Sequence, residues 1–230
     1  MWKIGERPEG AADDFPQVVP KQFDQWETKM NKWGNLMYQA IDTIAEMSAV
    51  GMSVPKDTFT KRMKGGAHLL APTGSDLERN SVGAVFAGWH YDISFMTIHG
   101  RSRYSGLSVW TRDWQKRTVK IPEGCLLVQA GMSFENITGG YVLAGFHEVI
   151  YTELTRQAFE KRRAALGEQG IDKVQWRVSS TMFTHFRNDT DVGPMEELSH
   201  LYSAEEAAKY SRMSAFELLM QELTATGMVM

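Results

Sequence analysis

The chain has 230 residues, 43% of them hydrophobic and 23% charged, and a mean hydropathy of -0.34, which reads as one globular domain with enough chain to bury a core. Its 1 cysteine, Cys125, excludes an internal disulfide and any multi-thiolate zinc or iron–sulfur site, so a metal here would need nitrogen and oxygen ligands. With 25 Lys+Arg against 28 Asp+Glu the formal net charge is -3, no basic stripe emerges, and no apolar run approaches the roughly 18 residues of a membrane span, so the expectation is a cytoplasmic protein with neither nucleic-acid nor membrane partner.

Residues 1–20 are rich in Gly, Pro and acidic side chains without periodicity and read as an extended lead-in. Phe23, Trp26, Met30, Trp33, Met37, Ile41 and Ile44 then recur at steps of three and four, the stripe of a long amphipathic helix docked on a sheet. Pro55 opens a second, short helical stretch that ends at Gly65-Gly66. From about Val82 the texture changes to short strand-like runs, predicted at 84–88, 93–98, 107–111, 118–121, 125–130, 141–143, 147–151 and 175–183. Many short strands without intervening helices predict a mainly β architecture with flanking helices, an antiparallel sandwich or barrel. One helical insertion is expected from Thr155, as N-cap, to Gly167. Its cluster Lys161-Arg162-Arg163 lies between Glu160 and Glu168 and reads as a solvated helix face rather than a nucleic-acid contact. Two capping boxes, Ser203 to Glu206 and Ser214 to Glu217, announce helices in the tail. The expected organisation is one structural unit with supporting elements over 1–80, the β core over 81–190 and carboxy-terminal helices over 191–230.

The chemistry-bearing residues sit in that β region. In Trp89-His90-Tyr91-Asp92, the side chains at i and i+2 of an extended segment point to one side, so His90 and Asp92 present an imidazole and a carboxylate together. His147 opens a later predicted strand. Two histidines and one carboxylate on neighbouring strands would make the facial triad of non-heme iron(II) oxygenases, with coordination positions left open. A zinc hydrolase on the same ligands is the other reading; its only nearby base is Glu148, which should point away if His147 points in. Further on, Arg177 and Ser179 again form an i, i+2 pair. Arg177 offers a planar fork for a carboxylate and Ser179 a hydroxyl donor, the alternative being an ordinary surface ion pair.

Taken in order, His90-x-Asp92, Gly106-Leu107-Ser108-Val109, Val119 to Gly124 with Pro122, Leu126 to Gly131, Thr138-Gly139-Gly140-Tyr141, His147-x-Val149 and Arg177-x-Ser179 resemble the isopenicillin N synthase-like group of iron(II)- and 2-oxoglutarate-dependent dioxygenases. The match runs from about Leu69 to Pro194. The resemblance implies a double-stranded β-helix (jelly roll), with His90, Asp92 and His147 as catalytic iron ligands, and Arg177 and Ser179 on the distal carboxylate of 2-oxoglutarate. It further implies oxidation of an unactivated C–H bond of a small molecule, by hydroxylation, desaturation or oxidative cyclisation, with dioxygen as co-substrate. Departures from the pattern are the stretch Leu69-Leu70-Ala71-Pro72, where relatives carry Asn-x-Tyr, together with Glu148, Met132 and the helical insertion before Arg177. An oxidase that dispenses with 2-oxoglutarate, and a jelly-roll binding protein that has lost catalysis, are the alternatives.

If the strand after Asp92 follows the family, Ile93, Phe95 and Thr97 turn toward the barrel interior, and Arg101, Arg103 and Tyr104 lie on the loop into Gly106, giving Phe95, Arg101, Arg103 and Tyr104 as candidate substrate contacts. Two arginines at a pocket mouth suit an acidic or amino-acid-like metabolite, unless they are solvated loop residues. Trp89 and Phe134 either line the pocket or fill the core, and His99 stands close enough to the triad for a supporting role. Relatives usually carry a further amino-terminal segment, so an oligomer or partner chain covering the exposed surface is a further expectation.

Overall fold

The computed structural model describes residues 1–5, 17–166 and 174–227. Nine strands form two antiparallel sheets. The larger has the order β1 (Trp2–Ile4), β2 (His68–Asp76), β9 (Trp176–Thr184), β4 (Met96–His99) and β7 (Leu127–Ala130). The smaller has the order β3 (Val85–His90), β8 (His147–Ile150), β5 (Leu107–Trp110) and β6 (Lys116–Thr118). The helices are α1 (Trp26–Gly51), α2 (Thr60–Met63), α3 (Met132–Ile137), α4 (Glu153–Leu166), α5 (Ala204–Ala207) and α6 (Ala215–Ala225). No helix among the described residues is long and apolar enough to cross a membrane.

Alternation along the strands of the larger sheet divides its two faces. Leu70, Met96, Ile98 and Met182 point outward into the main hydrophobic core, where they meet Met37, Ile41, Ala45 and Ala49 of α1. The opposite face presents Ala71, Thr73 and Ser75 of β2, His99 of β4, and Arg177, Ser179, Thr181 and Phe183 of β9 to a cavity shared with the smaller sheet. The main apolar core therefore lies outside the larger sheet, and the cavity between the sheets sets polar and charged side chains beside apolar ones such as Phe86, Leu107 and Val149. Gly34 lets α1 come close, since a Cβ there would lie 2.2 Å from Ile4 Cδ1. The buried stripe of α1 is Gly34, Met37, Ile41, Ala45 and Ala49. Phe23 falls ahead of the helix and is 58% exposed, while Trp33, on the edge of the stripe, donates its indole N–H to Ser180 Oγ at 3.0 Å.

Several expectations are corrected. The sheet begins ahead of position 81, because β2 pairs with β9 from Leu69 to Asp76, and β1 pairs with β2. Residues 141–143 are not a strand. Gly139 and Gly140 adopt φ of +55° and +81°, and the following amides bond back to the end of α3: Tyr141 N–H to Thr138 O, Val142 N–H to Thr138 Oγ1, Ala144 N–H to a Glu135 carboxylate oxygen. Helix α4 starts two residues before Thr155, whose amide donates to Thr152 Oγ1, so Thr152 caps the helix and Thr155 is buried inside its first turn. The expected end of that helix at Gly167 lies outside the described residues. Both capping boxes are present as read.

Candidate metal centre and cavity

His90 ends β3 and stands opposite His147, the first residue of β8, in the ladder between the two strands. The two imidazole rings lie 4.2 Å apart, centroid to centroid. Asp92, two residues past the strand, brings Oδ1 to 3.6 Å from His90 Nε2 and 4.0 Å from His147 Nε2. One ligand atom from each of the three residues falls within 4.8 Å of the others. His90 Nδ1 sits 2.6 Å from Gly88 O, and His147 Nδ1 sits 2.9 Å from Gly145 O. A carbonyl can only accept, so each Nδ1 carries a proton, and Nε2, which faces the shared centre, is the nitrogen of each ring that a metal would take.

Asp92 is 7% exposed, and its Oδ2 has no hydrogen-bond partner among the described residues. A buried carboxylate oxygen without a donor is costly unless a cation meets it. Burial pushes this carboxyl upward, but the neighbouring His90, His147, Thr97 and His99 outweigh burial and hold it below the ordinary range. Burial likewise lowers His147, whereas the Asp92 carboxylate raises His90. Two imidazoles presenting Nε2, one ionised carboxylate and no thiolate suit a first-row divalent metal such as iron(II).

The loop that carries Asp92 is held by α3, an element too short to show periodicity in the sequence. Met132 N–H donates to Asp92 O at 2.7 Å, and the Ser133 hydroxyl donates to Ile93 O at 2.9 Å. Gly131 makes the approach possible, since a Cβ there would stand 2.0 Å from Ser94 O.

The cavity beside the triad has a volume of about 520 Å³. Arg177 lies on its wall, 7% exposed, and no carboxylate among the described residues pairs with it. Its Nε donates to Ser105 O at 3.0 Å, which commits the inner edge of the guanidinium and leaves the terminal nitrogens for a ligand. Burial lowers its pKa from the usual arginine value. Ser179 follows on the same strand face and lines the same cavity. Glu148 points away from the centre and pairs with Lys116, as alternation requires once His147 points in.

The cavity also brings together Arg101, Arg103 and Tyr104, but the Tyr104 hydroxyl is committed to Val174 O at 2.6 Å, so only its ring borders the space. Phe95 is a correction. It precedes β4, is 0% exposed, and packs in the outer core against Phe59, Phe134 and Phe186. Phe134 belongs to that same core, and Trp89 is 51% exposed, stacked on Phe146 at 4.3 Å. His99 does line the cavity, with Nδ1 3.2 Å from Thr181 Oγ1. Thr73, Ser75, Thr181 and Lys120 also face the cavity, and no motif in the sequence marks them. The first two follow from register, because Thr73 stands opposite Ser179 and Ser75 opposite Arg177.

No protein-family model matches the chain, and no curated protein matches its sequence. Solved structures do. A putative 2OG-Fe(II) oxygenase family protein from Caulobacter crescentus superposes with a TM-score of 0.79 at 22% identity, covering 98% of this chain and 68% of the other. A full-length Neurospora crassa protein in complex with alpha-KG gives 0.73 at 19% identity, covering 97% and 65%. The rice dioxygenase for auxin oxidation gives 0.63 at 18% identity, covering 83% and 56%. The chain thus spans between about half and about two thirds of the length of these proteins. Its fold is that of the 2-oxoglutarate–iron(II) oxygenases.

Proposed function

We propose that the protein is an iron(II)- and 2-oxoglutarate-dependent dioxygenase that oxidises an unactivated C–H bond of a small acidic or amino-acid-like metabolite. The observation that carries this reading is a pairing across one cavity: a buried carboxylate with an oxygen unmet among the described residues, set between two histidines that turn Nε2 to it, and a buried arginine that no carboxylate of the described residues meets. The first arrangement asks for a metal cation and the second for a carboxylate. A strand order of β2-β9-β4-β7 facing β3-β8-β5-β6 supports reading the two sheets as a jelly roll, and the alpha-KG bound by the Neurospora protein supports the choice of co-substrate.

His90, Asp92 and His147 would hold the iron, and Arg177 with Ser179 the far carboxylate of 2-oxoglutarate. When bound, iron and 2-oxoglutarate supply oxidation of a C–H bond by dioxygen; hydroxylation, desaturation and ring closure all begin there. The chain supplies placement. The Nδ1 bonds to Gly88 and Gly145 fix the ring planes, and the Ser105 carbonyl aims Arg177. A volume of about 520 Å³ is in the usual range for a small-molecule site.

The test is anaerobic addition of ferrous iron and 2-oxoglutarate to the purified protein, with a weak visible metal-to-ligand charge-transfer band as the expected result. Asp92→Ala should lose the band and all succinate production. Arg177→Gln should weaken 2-oxoglutarate by at least tenfold while iron still binds. No band in the parent protein would sink the proposal, and an unchanged 2-oxoglutarate affinity in Arg177→Gln would move Arg177 to the primary substrate.

A further inference from the structure

The side chains lining the cavity include one carboxylate, Asp92, and four permanent cations, Arg101, Arg103, Lys120 and Arg177. Bound ferrous iron would add two positive charges, and the two carboxylates of 2-oxoglutarate would remove two. Asp92 and Arg177 then balance each other, so the inner half of the filled site is neutral. Outside that balance Arg101 and Lys120 supply positive charge, and Arg103 lines the same cavity. Arg101 pairs with Glu123 at 3.9 Å, and that carboxylate is 94% exposed, where a pair is worth little. Lys120 has no carboxylate within ion-pair distance among the described residues. Arg162 of α4 lies at 5.8 Å over the ring of Tyr104, which borders the cavity. A low-dielectric wall focuses such a field on the cavity mouth.

We infer that Lys120, with Arg101 and Arg103, forms a second anion site at the mouth, and that the primary substrate is a dianion, carrying either two carboxylates or one phosphate group, held there while its reacting carbon reaches toward the triad. This inference rests on the dioxygenase reading for the location of the reacting carbon, and it adds the substrate's charge and the residues that read it. Lys120 is the informative member, because it comes from the segment after β6, far in the chain from the loop of Arg101 and Arg103, and lines the same cavity. One net positive charge would suffice for a monocarboxylate. Arg101 and Lys120 by themselves supply two that no buried carboxylate offsets, which matches two negative charges, and Arg103 adds to the same field.

The experiment titrates protein loaded anaerobically with iron(II) and saturating 2-oxoglutarate with malate, inorganic phosphate and the uncharged diamide of malate, read by calorimetry. The expected result is that malate or phosphate binds at least tenfold more tightly than the diamide, that the preference weakens as salt rises, and that Lys120→Ala removes it while Lys120→Arg restores it. Preference for malate identifies a dicarboxylate substrate, and preference for phosphate a phosphate ester. Equal binding of dianion and diamide, or a dianion affinity indifferent to Lys120→Ala, overturns the inference. The charge-transfer band of the same sample reports separately on the dioxygenase assignment, so the two can fail independently.

Discussion

Both ring nitrogens of the buried His68 are committed to backbone. Nε2 donates to Met63 O at 3.1 Å, and Nδ1 accepts from His185 N–H at 3.2 Å, while the ring packs against Tyr38 of α1 at 4.7 Å. Protonation would place a second N–H against the His185 amide. Burial, reinforced by His185, accordingly drives the His68 pKa down to about 4 from an ordinary 6.5. The unfolded chain then binds the extra proton between those values, so this contribution to stability is complete above pH 6.5 and is lost as the pH falls toward 4. The shift corresponds to about 3 kcal/mol at most. Urea unfolding measured from about pH 7 to about pH 4.5 should show the parent losing stability over that window. His68→Leu should start about 2–4 kcal/mol lower at neutral pH, with two backbone groups unpaired, and should lose less on acidification. Parallel profiles for the two proteins would rule out His68 as the source.

At the scale of elements, α1 owes its position to Gly34. A glycine within a helix costs about 1 kcal/mol relative to alanine, yet a Cβ here would run into Ile4 of β1 at 2.2 and 2.5 Å. Gly34→Ala should therefore cost about 1–2 kcal/mol net, overpacking outweighing propensity. In an Ile4→Ala background the same change should stabilise, because the obstruction has gone and the helix preference remains. A double-mutant cycle in urea checks this, and additive effects would show that the contact is not the cause. The elements also explain what sequence reading can reach. The α1 stripe and most β strands declare themselves by period, as do the two capping boxes by spacing. Strand β2 does not, because Pro72 and Gly74 look like breakers. Pro72 is tolerated since β1 pairs only as far as Leu70, so the outer edge of β2 is unpaired there. Helix α3 is six residues long, too short for a pattern, although it holds the loop of Asp92. The triad is legible because its ligands sit at fixed strand offsets. Phe95 is not, because both sides of the larger sheet carry apolar side chains and the sequence does not say that Phe95 turns to the outer core; Thr73 and Ser75 need the β2–β9 register, which one sequence does not carry.

For the whole molecule, that division of faces separates what holds the fold from what the cavity does. Packing of α1 on the larger sheet forms the main apolar core, and the cavity wall contributes a cost at its unmet polar atoms, the Asp92 Oδ2 among them. A cation bound there should return that cost as stability, by about 2.7 kcal/mol when its concentration is about a hundred times its dissociation constant. For a chain of this size that is roughly 5–10 °C in Tm. Thermal unfolding with redox-silent Ni(II) should show the rise in the parent protein and its reversal by EDTA. Asp92→Asn puts an amide where its N–H groups can donate toward His90 Nε2 and His147 Nε2, now 3.6 and 4.0 Å from Asp92 Oδ1. The metal-free variant should thus unfold no lower than the metal-free parent, yet gain nothing from Ni(II). A parent Tm indifferent to Ni(II) would deny the metal centre, and an equal gain in Asp92→Asn would place the metal elsewhere. Ile41→Ala, in the outer core at 0% exposure, should do the reverse, lowering Tm through a loss of about 2–5 kcal/mol while keeping the full Ni(II) increment.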